Sequence, residues 1–297
     1  MDSTVLTPRT VIPSVVFLRS RIPAAHPSSP ILGEERMGSG VVVDEHRVLT
    51  AHYLLLGANE VEVVAADGRE RAVERTVADH ETGLGLLELG GPPLRPAQMD
   101  RHERIAPGLP VFLLTCASAG ERKGATGHVS WIGPFEAFWE YMLDRAIMTT
   151  VVNPGLAGAP LFDVDARLIG IVSLGLAAVG RYSLAIPLEL YLAHRAELLG
   201  ETERTRPPRA WVGFYPHAYD GGVVVTGVAP NGPAERAGLA QGDLILSVDG
   251  KPVQTLRELY REIWRRRPGE SLGFGVLRDA SLCVVEVVSG DRYEFYK

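Results

Sequence analysis

The sequence predicts a mostly β protein of two domains joined by a short linker. Three observations carry that expectation. From Val11 to about Pro187, short aliphatic and β-branched runs alternate with Gly, Pro, Asn and Asp turns, the rhythm of a sandwich or barrel. A helix then opens at Pro187, and after it Glu201–Arg209 holds charges, threonine and prolines with almost nothing apolar, which is linker composition. Beyond the linker, strands and short helices follow in a different order. The expected division is 1–200, a linker at 201–209, and 210–297.

Composition agrees with a globular chain. The 297 residues suffice for two separate cores, and 46% hydrophobic with 22% charged residues is ordinary for a soluble protein. A net charge of −6 argues against nucleic acid or an anionic membrane surface as the main partner. Cys116 and Cys283 fall in different domains and read as buried free thiols, with neither a disulfide framework nor metal-type spacing. No cofactor is called for. Met1–Arg21 lacks the apolar run of roughly 7–15 residues that follows a basic start in a signal peptide, and nothing approaches the roughly 20 apolar residues of a membrane span. The chain as it stands is therefore expected to be soluble and cytoplasmic, and periplasmic if a leader was removed ahead of Met1.

Taken in order, the first strands are expected at Val15–Leu18, Gly40–Val43, Val61–Val64 and Val111–Leu114, with a Pro- and Ser-rich loop at Ala24–Pro30. The helix after Pro187 carries Leu188, Leu190, Tyr191, Leu192, Leu198 and Leu199, and Gly200 can cap it. In the C-terminal domain, strands at Val223–Val228 and Asp243–Val248 flank a short helix at Pro233–Leu239 that glycine stops. Thr255-Leu256-Arg257-Glu258 is a capping box that starts a helix through about Arg266, whose basic end suits the macrodipole. Further strands are expected at Leu272–Leu277 and Cys283–Val288.

One stretch organises the larger domain. Asn153-Pro154-Gly155-Leu156-Ala157-Gly158-Ala159-Pro160 places Gly and Pro on both sides of one small residue and runs toward the strand-like Leu168–Ser173. It resembles the nucleophile loop of the trypsin-like HtrA (Deg) proteases, usually Asn-Pro-Gly-Asn-Ser-Gly-Gly-Pro. Gly38-Ser39-Gly40 is similar to that family's approach to the first barrel. Gly227–Pro230, Ala237–Leu239 and Gly242–Gly250 look like a bacterial-type PDZ domain. The resemblance implies a chymotrypsin/trypsin-like double β-barrel followed by a PDZ domain.

Residue by residue, the resemblance puts Ala157 at the nucleophile. Leu49–Leu55 is similar to the family's histidine motif, with Tyr53 at the general base and His52 one residue early. Asp79–Gly85 is similar to the aspartate motif, with Gly83 at the orienting carboxylate. A serine must be activated by an imidazole that a carboxylate orients. A methyl group has no lone pair with which to attack a carbonyl, and losing the serine alone costs on the order of 10⁶ in kcat. The backbone N–H groups of Gly155 and Ala157 would keep the oxyanion-hole geometry. His52 could stand in as a base only if its geometry allowed, and it would still meet no hydroxyl at Ala157. His52, His80 and Asp79 match no standard metal-ligand spacing. Ser173 resembles a wall residue of the specificity pocket.

Two features concern partners. Trp131–Tyr141 concentrates aromatics where a loop between strands is expected, and Trp131, Phe138 and Trp139 form either a partner surface or a loop folded over its own barrel. In the PDZ-like part, a peptide C-terminus would add as a strand while loop amides hold its carboxylate. The resemblance assigns that site to Trp211, Val212, Gly213 and Phe214, with Arg209 as a possible charge partner. Pro216 removes one N–H from the edge that would pair with the peptide, so the groove is either weakened or closed.

The resulting expectation is a catalytically inactive protease relative with all three triad positions lost. It would bind other proteins through C-terminal tails or the aromatic loop, as a scaffold, a homo-oligomer or a subunit of a larger complex. The alternative is an active serine-type endopeptidase or chaperone with a non-standard catalytic arrangement.

Overall fold

The computed structural model describes residues 9–99, 105–153, 157–176, 182–219 and 222–297. The chain falls into two compact units: Met1–Gly133 with Asp144–Thr202, and Pro134–Leu143 with Glu203–Lys297. The sequence suggested a single cut after residue 200. In the structure, residues 134–143 count with the second unit.

The first unit opens with a 3-10 turn at Ile12–Ser14 and continues with β1 (Val15–Arg21), α1 (Ser29–Leu32), β2 (Glu35–Asp44), β3 (Arg47–Ala51), a 3-10 turn at His52–Leu54, β4 (Glu60–Val64), β5 (Glu70–Arg71), β6 (Val73–Ala78) and β7 (Leu84–Leu89). These strands form a seven-stranded sheet in the order β5-β4-β1-β2-β3-β7-β6. Val16, Leu18, Val42, Val48, Leu54 and Leu87 make its core. The expected loop at Ala24–Pro30 is more ordered than its composition suggests. His26 and Ser28 are buried, the His26 Nδ1 lies 2.7 Å from the Ser28 Oγ, and α1 starts at Ser29.

A second set follows: β8 (Pro110–Cys116), β9 (Arg122–Ala137), β10 (Tyr141–Thr149), β11 (Pro160–Asp163), β12 (Leu168–Gly175) and β13 (Ser183–Pro187). They close into a barrel, β10-β13-β12-β11-β8-β9, filled by Leu113, Ile147, Leu161, Val172 and Ala185. Helix α2 (Leu188–Leu199) follows Pro187 as its N-cap and ends on Gly200 at φ 70°, the left-handed cap that glycine adopts without strain. Arg75 donates to the Leu199 carbonyl at 3.0 Å, satisfying an orphan acceptor of the last turn. The aromatic stretch is strand over most of its length. β9 and β10 are long and turn tightly at residues 138–140, so the expected loop is the tip of a hairpin.

In the second unit, β14 (Phe214–Tyr219), β15 (Gly222–Val228), α3 (Pro233–Ala237), β16 (Leu244–Val248), β17 (Lys251–Pro252), α4 (Leu256–Ile263), β18 (Ser271–Arg278), β19 (Ser281–Val288) and α5 (Arg292–Phe295) build a six-stranded sheet. β14 and β19 are the ends of its main path, and β17 pairs with β16. Phe214, Val225, Ile245, Leu259, Phe274 and Val287 form the core. The capping box is made in both directions, with the Glu258 N–H donating to the Thr255 Oγ1 and the Thr255 N–H to the Glu258 Oε2, each at 3.1 Å. Helix α4 stops at Ile263, short of the expected Arg266. Pro268 lies just beyond and disfavours helical backbone before it, and Arg266 leaves the helix axis to pair with Asp249 at 2.6 Å. Cys116 is a buried free thiol as expected, whereas Cys283 is exposed. Among the described residues, no helix is long and apolar enough to cross a membrane.

Candidate functional site

The nucleophile-loop positions are held from below by the backbone. The Ser39 N–H donates to the Ala157 carbonyl at 2.8 Å, and the Gly158 N–H donates to Val172 at 2.8 Å. Gly158 sits at φ 76°, and a Cβ added there would lie 2.1 Å from the Ser39 carbonyl oxygen and 2.2 Å from the Thr50 Oγ1. Only glycine fits. Thr50 donates to the Ser39 carbonyl at 2.7 Å, and the Ser39 Oγ accepts from the Cys116 N–H at 2.8 Å while facing the Thr115 hydroxyl at 3.0 Å. Asn153 and Ala157 are described, but Gly155 and Leu156 lie outside the described residues, and with Gly155 goes one of the two expected oxyanion-hole amides.

Tyr53 stands on the 3-10 turn after β3, and its hydroxyl donates to the Ser173 carbonyl at 2.6 Å. Burial raises the phenol above its ordinary range, so it stays protonated at neutral pH. A buried Arg36 holds this turn, donating to the carbonyls of Tyr53 at 2.6 Å and Leu56 at 2.9 Å. Burial lowers the Arg36 guanidinium to about 10, which leaves it charged. Sequence reading overlooked this arginine, because nothing local marks it as internal.

His52 is buried and turned toward His80, with ring centroids 5.5 Å apart, while its backbone N–H donates to the Gly83 carbonyl at 2.9 Å. Gly83 is left-handed at φ 76°. The buried Asp79 carboxylate accepts from the Thr82 N–H at 3.1 Å and from the Thr82 hydroxyl at 2.5 Å, a turn-building role. Tyr53, Gly83 and Ala157 supply no imidazole, no carboxylate and no hydroxyl nucleophile.

The second site lies in the second unit. The N–H groups of Val212, Gly213 and Phe214 converge on one carboxylate, as expected of a PDZ anion site. That carboxylate is the side chain of Glu140: Val212 donates at 3.0 Å, Gly213 at 2.7 Å and Phe214 at 3.4 Å. Gly213 at φ 78° turns successive amides toward one point. Glu140 is 4% exposed and is itself left-handed at φ 54°. Burial pushes its carboxyl up to about 7, against the pull of the three amides and of Arg292.

Several assigned residues take other roles. Arg209 lies over the Trp264 ring at 4.5 Å, and the cation facing the carboxylate is Arg292, which also donates to the Glu140 carbonyl at 3.1 Å. Trp211 is buried against Phe295 and Tyr296, where it anchors the C-terminal helix. Phe138, at the hairpin tip, packs near Tyr215 and His217 of β14, and Trp139 meets Phe138 edge to face at 4.9 Å. Trp131 and Phe138 remain 38% and 46% exposed. Pro216 is buried in β14 at a break in register between Tyr215 and Pro216.

A seven-stranded sheet and a closed six-stranded barrel, followed by a smaller sheet with a carboxylate loop, define a trypsin-like peptidase fold with a PDZ domain. Residues 38–171 match the trypsin-like peptidase domain family, and residues 202–288 match the PDZ domain family. The chain is 29% identical over 280 residues to a protein of Halomonas elongata named "Probable periplasmic serine endoprotease DegP-like", covering 87% of this chain and 57% of that protein. A protein of the same name from Ectopseudomonas mendocina is 27% identical over 276 residues, with 86% and 56% covered. The chain thus spans a little over half the length of these relatives. Among solved structures, "HtrA-type protease AlgW with decapeptide" matches at a TM-score of 0.57 and 26% identity, covering 95% of this chain and 96% of that one. The same protease with a tripeptide matches at a TM-score of 0.56 and 26% identity, with 95% of each chain covered. The chain belongs to the HtrA/Deg-like trypsin-fold proteins with a PDZ domain.

These relatives overturn two expectations. They are named serine endoproteases, which goes against a catalytically inactive scaffold or assembly subunit as this chain's function. They are also named periplasmic, against the cytoplasmic placement read from the N-terminal residues. Composition and local pattern carry no address once a leader is left out of account, which is why the sequence misdirected on that point.

Proposed function

We propose that the chain works on polypeptides in the periplasm as a DegP-like endoprotease relative, and that its PDZ domain recognises chains ending in a free carboxylate. The observation that carries the reading is the convergence of the Val212, Gly213 and Phe214 amides on a carboxylate. A backbone anion site of this kind suits a peptide C-terminus, with β14 as the edge strand that would pair with it. The decapeptide- and tripeptide-bound AlgW structures support a peptide as the ligand class. Phe138 and Trp139, in the same unit, would add apolar contact area for a polypeptide. Any hydrolysis by this chain must run on residues other than Tyr53, Gly83 and Ala157.

The test is binding of the full chain to a short peptide with an apolar last residue, compared with its C-terminal amide. A preference for the free acid supports the reading, and equal binding of acid and amide removes it.

The names of the relatives favour a second reading, an endopeptidase with a non-standard arrangement. His52 and Ser173 are the groups to examine. Turnover of unfolded casein, abolished by His52→Ala or Ser173→Ala in a folded variant, would establish it. Absence of turnover in the parent chain would exclude it.

A further inference from the structure

Glu140 occupies the position that a peptide C-terminus would need. Its two carboxylate oxygens take the three loop amides, with Oε2 receiving Val212 and Oε1 receiving Gly213 and Phe214. The rest of the hairpin tip is held on both sides of it. Tyr260 of α4 accepts from the Glu140 N–H at 3.2 Å and donates to the Ala137 carbonyl at 2.5 Å. Arg257 of α4 pairs with Glu136 at 2.5 Å and donates to the Leu143 carbonyl at 3.2 Å. Phe138 faces Tyr215 and His217 on β14, and Met142 packs against the PDZ core. Residues 136–143 therefore contact both α4 and β14, with Glu136 paired to Arg257 and Glu140 in the anion site.

Local preference does not explain this residue. A left-handed turn position favours Gly, Asn or Asp, and a buried carboxylate is avoided unless it is paired. Glutamate at φ 54° goes against the first rule, and it meets the second only through the three amides and Arg292. Its side chain has the reach to deliver a carboxylate into the three-amide cradle.

We propose that Glu140 is a tethered internal ligand of the PDZ carboxylate site, and that a polypeptide with a free C-terminus binds there only by displacing the 136–143 hairpin tip. This rests on the peptide-binding reading above and deepens it, because the amides are saturated by Glu140 and cannot serve two carboxylates at once. A tether of this length presents its carboxylate at an effective concentration in the millimolar range, so a weakly held internal ligand still competes well. The occupant is specified by chemistry: a carboxylate at a chain end, with apolar residues before it.

The test uses the full chain with Glu140→Gln and Glu140→Ala, plus Glu140→Gly, which relieves the left-handed backbone and guards against a folding failure. Two measurements are made. The first follows the amide NMR resonances of Val212, Gly213 and Phe214, and the second follows affinity for a fluorescent peptide acid and its amide. Glu140→Ala and Glu140→Gly are expected to move all three resonances and to tighten the acid by about tenfold or more, leaving the amide unchanged. Glu140→Gln should fall between parent and Glu140→Ala. If the resonances do not move, the contact is not made in solution and the internal-ligand proposal fails, while peptide binding by the parent stands. If they move and the acid binds parent and variants equally, displacement is not required and the proposal also fails. If they move and no variant binds the acid, both the proposal and the peptide-binding reading fall.

Discussion

The hydroxyl of Tyr53 donates its proton to the carbonyl of Ser173 at 2.6 Å. A general base would have to accept a proton at this place, and the phenol gives one away while burial keeps it neutral. The bond ties the turn after β3 to β12. Tyr53→Phe is expected to lower stability by about 1 kcal/mol, the net worth of one such bond, with no loss of any hydrolysis the parent shows. Urea unfolding and a casein assay check both parts. A large loss of turnover would place Tyr53 in the chemistry.

A hydroxyl placed at position 157 alone is expected to gain no reactivity. Ala157→Ser adds a hydroxyl but leaves it without a base, so fluorophosphonate labelling at residue 157 should stay at background. Adding Tyr53→His and Gly83→Asp is expected to raise labelling. The third change also costs about 1 kcal/mol, because position 83 is left-handed and aspartate adopts that region less readily than glycine. Intact-protein mass spectrometry after the probe decides the matter, and strong labelling of the single variant would reveal a base outside position 53.

Gly158→Ala tests the floor of the same loop. The new methyl would meet the Ser39 carbonyl oxygen at 2.1 Å, and backbone cannot swing aside as a flexible side chain can. With the positive φ added, a loss of roughly 3 kcal/mol or more is expected, read as a lower denaturation midpoint. A change within error would show that the loop is not packed on β2.

Glu140 should give stability a pH dependence of a defined sign. Burial raises its carboxyl from 4.5 to about 7. The docked form therefore holds its proton more tightly than the undocked form, so this contribution is fully present below pH 4.5 and is lost as pH rises through 7. The groups facing it are Arg292 from α5, Tyr260 from α4, Tyr215 from β14 and Tyr296 beyond α5. Burial raises each of the three tyrosines, which stay neutral through the same window. Relative to Glu140→Gln, the parent should lose on the order of 1 kcal/mol between about pH 6 and pH 8. A constant difference between the two proteins over that range would show that the carboxyl does not titrate there.

What the sequence determined by itself is what neighbours in the chain decide. Thr255 and Glu258 are three residues apart and make a capping box wherever the helix goes. Gly200 and Gly238 end helices because a left-handed residue closes the last turn. The strand rhythm was legible for the same reason, whereas the PDZ pattern and the assignment of the Val212, Gly213 and Phe214 amides came from the resemblance to HtrA-type PDZ domains. The content of the anion site was not. Glu140 lies 72 residues before Val212, and no local pattern links the two. Arg36 under the Tyr53 turn, Arg292 beside Glu140 and the burial of Trp211 against the C-terminal helix were hidden in the same way. Each depends on desolvation and on partners brought together from distant parts of the chain. Only tertiary packing sets which charge is stripped of water, and which amides it then finds.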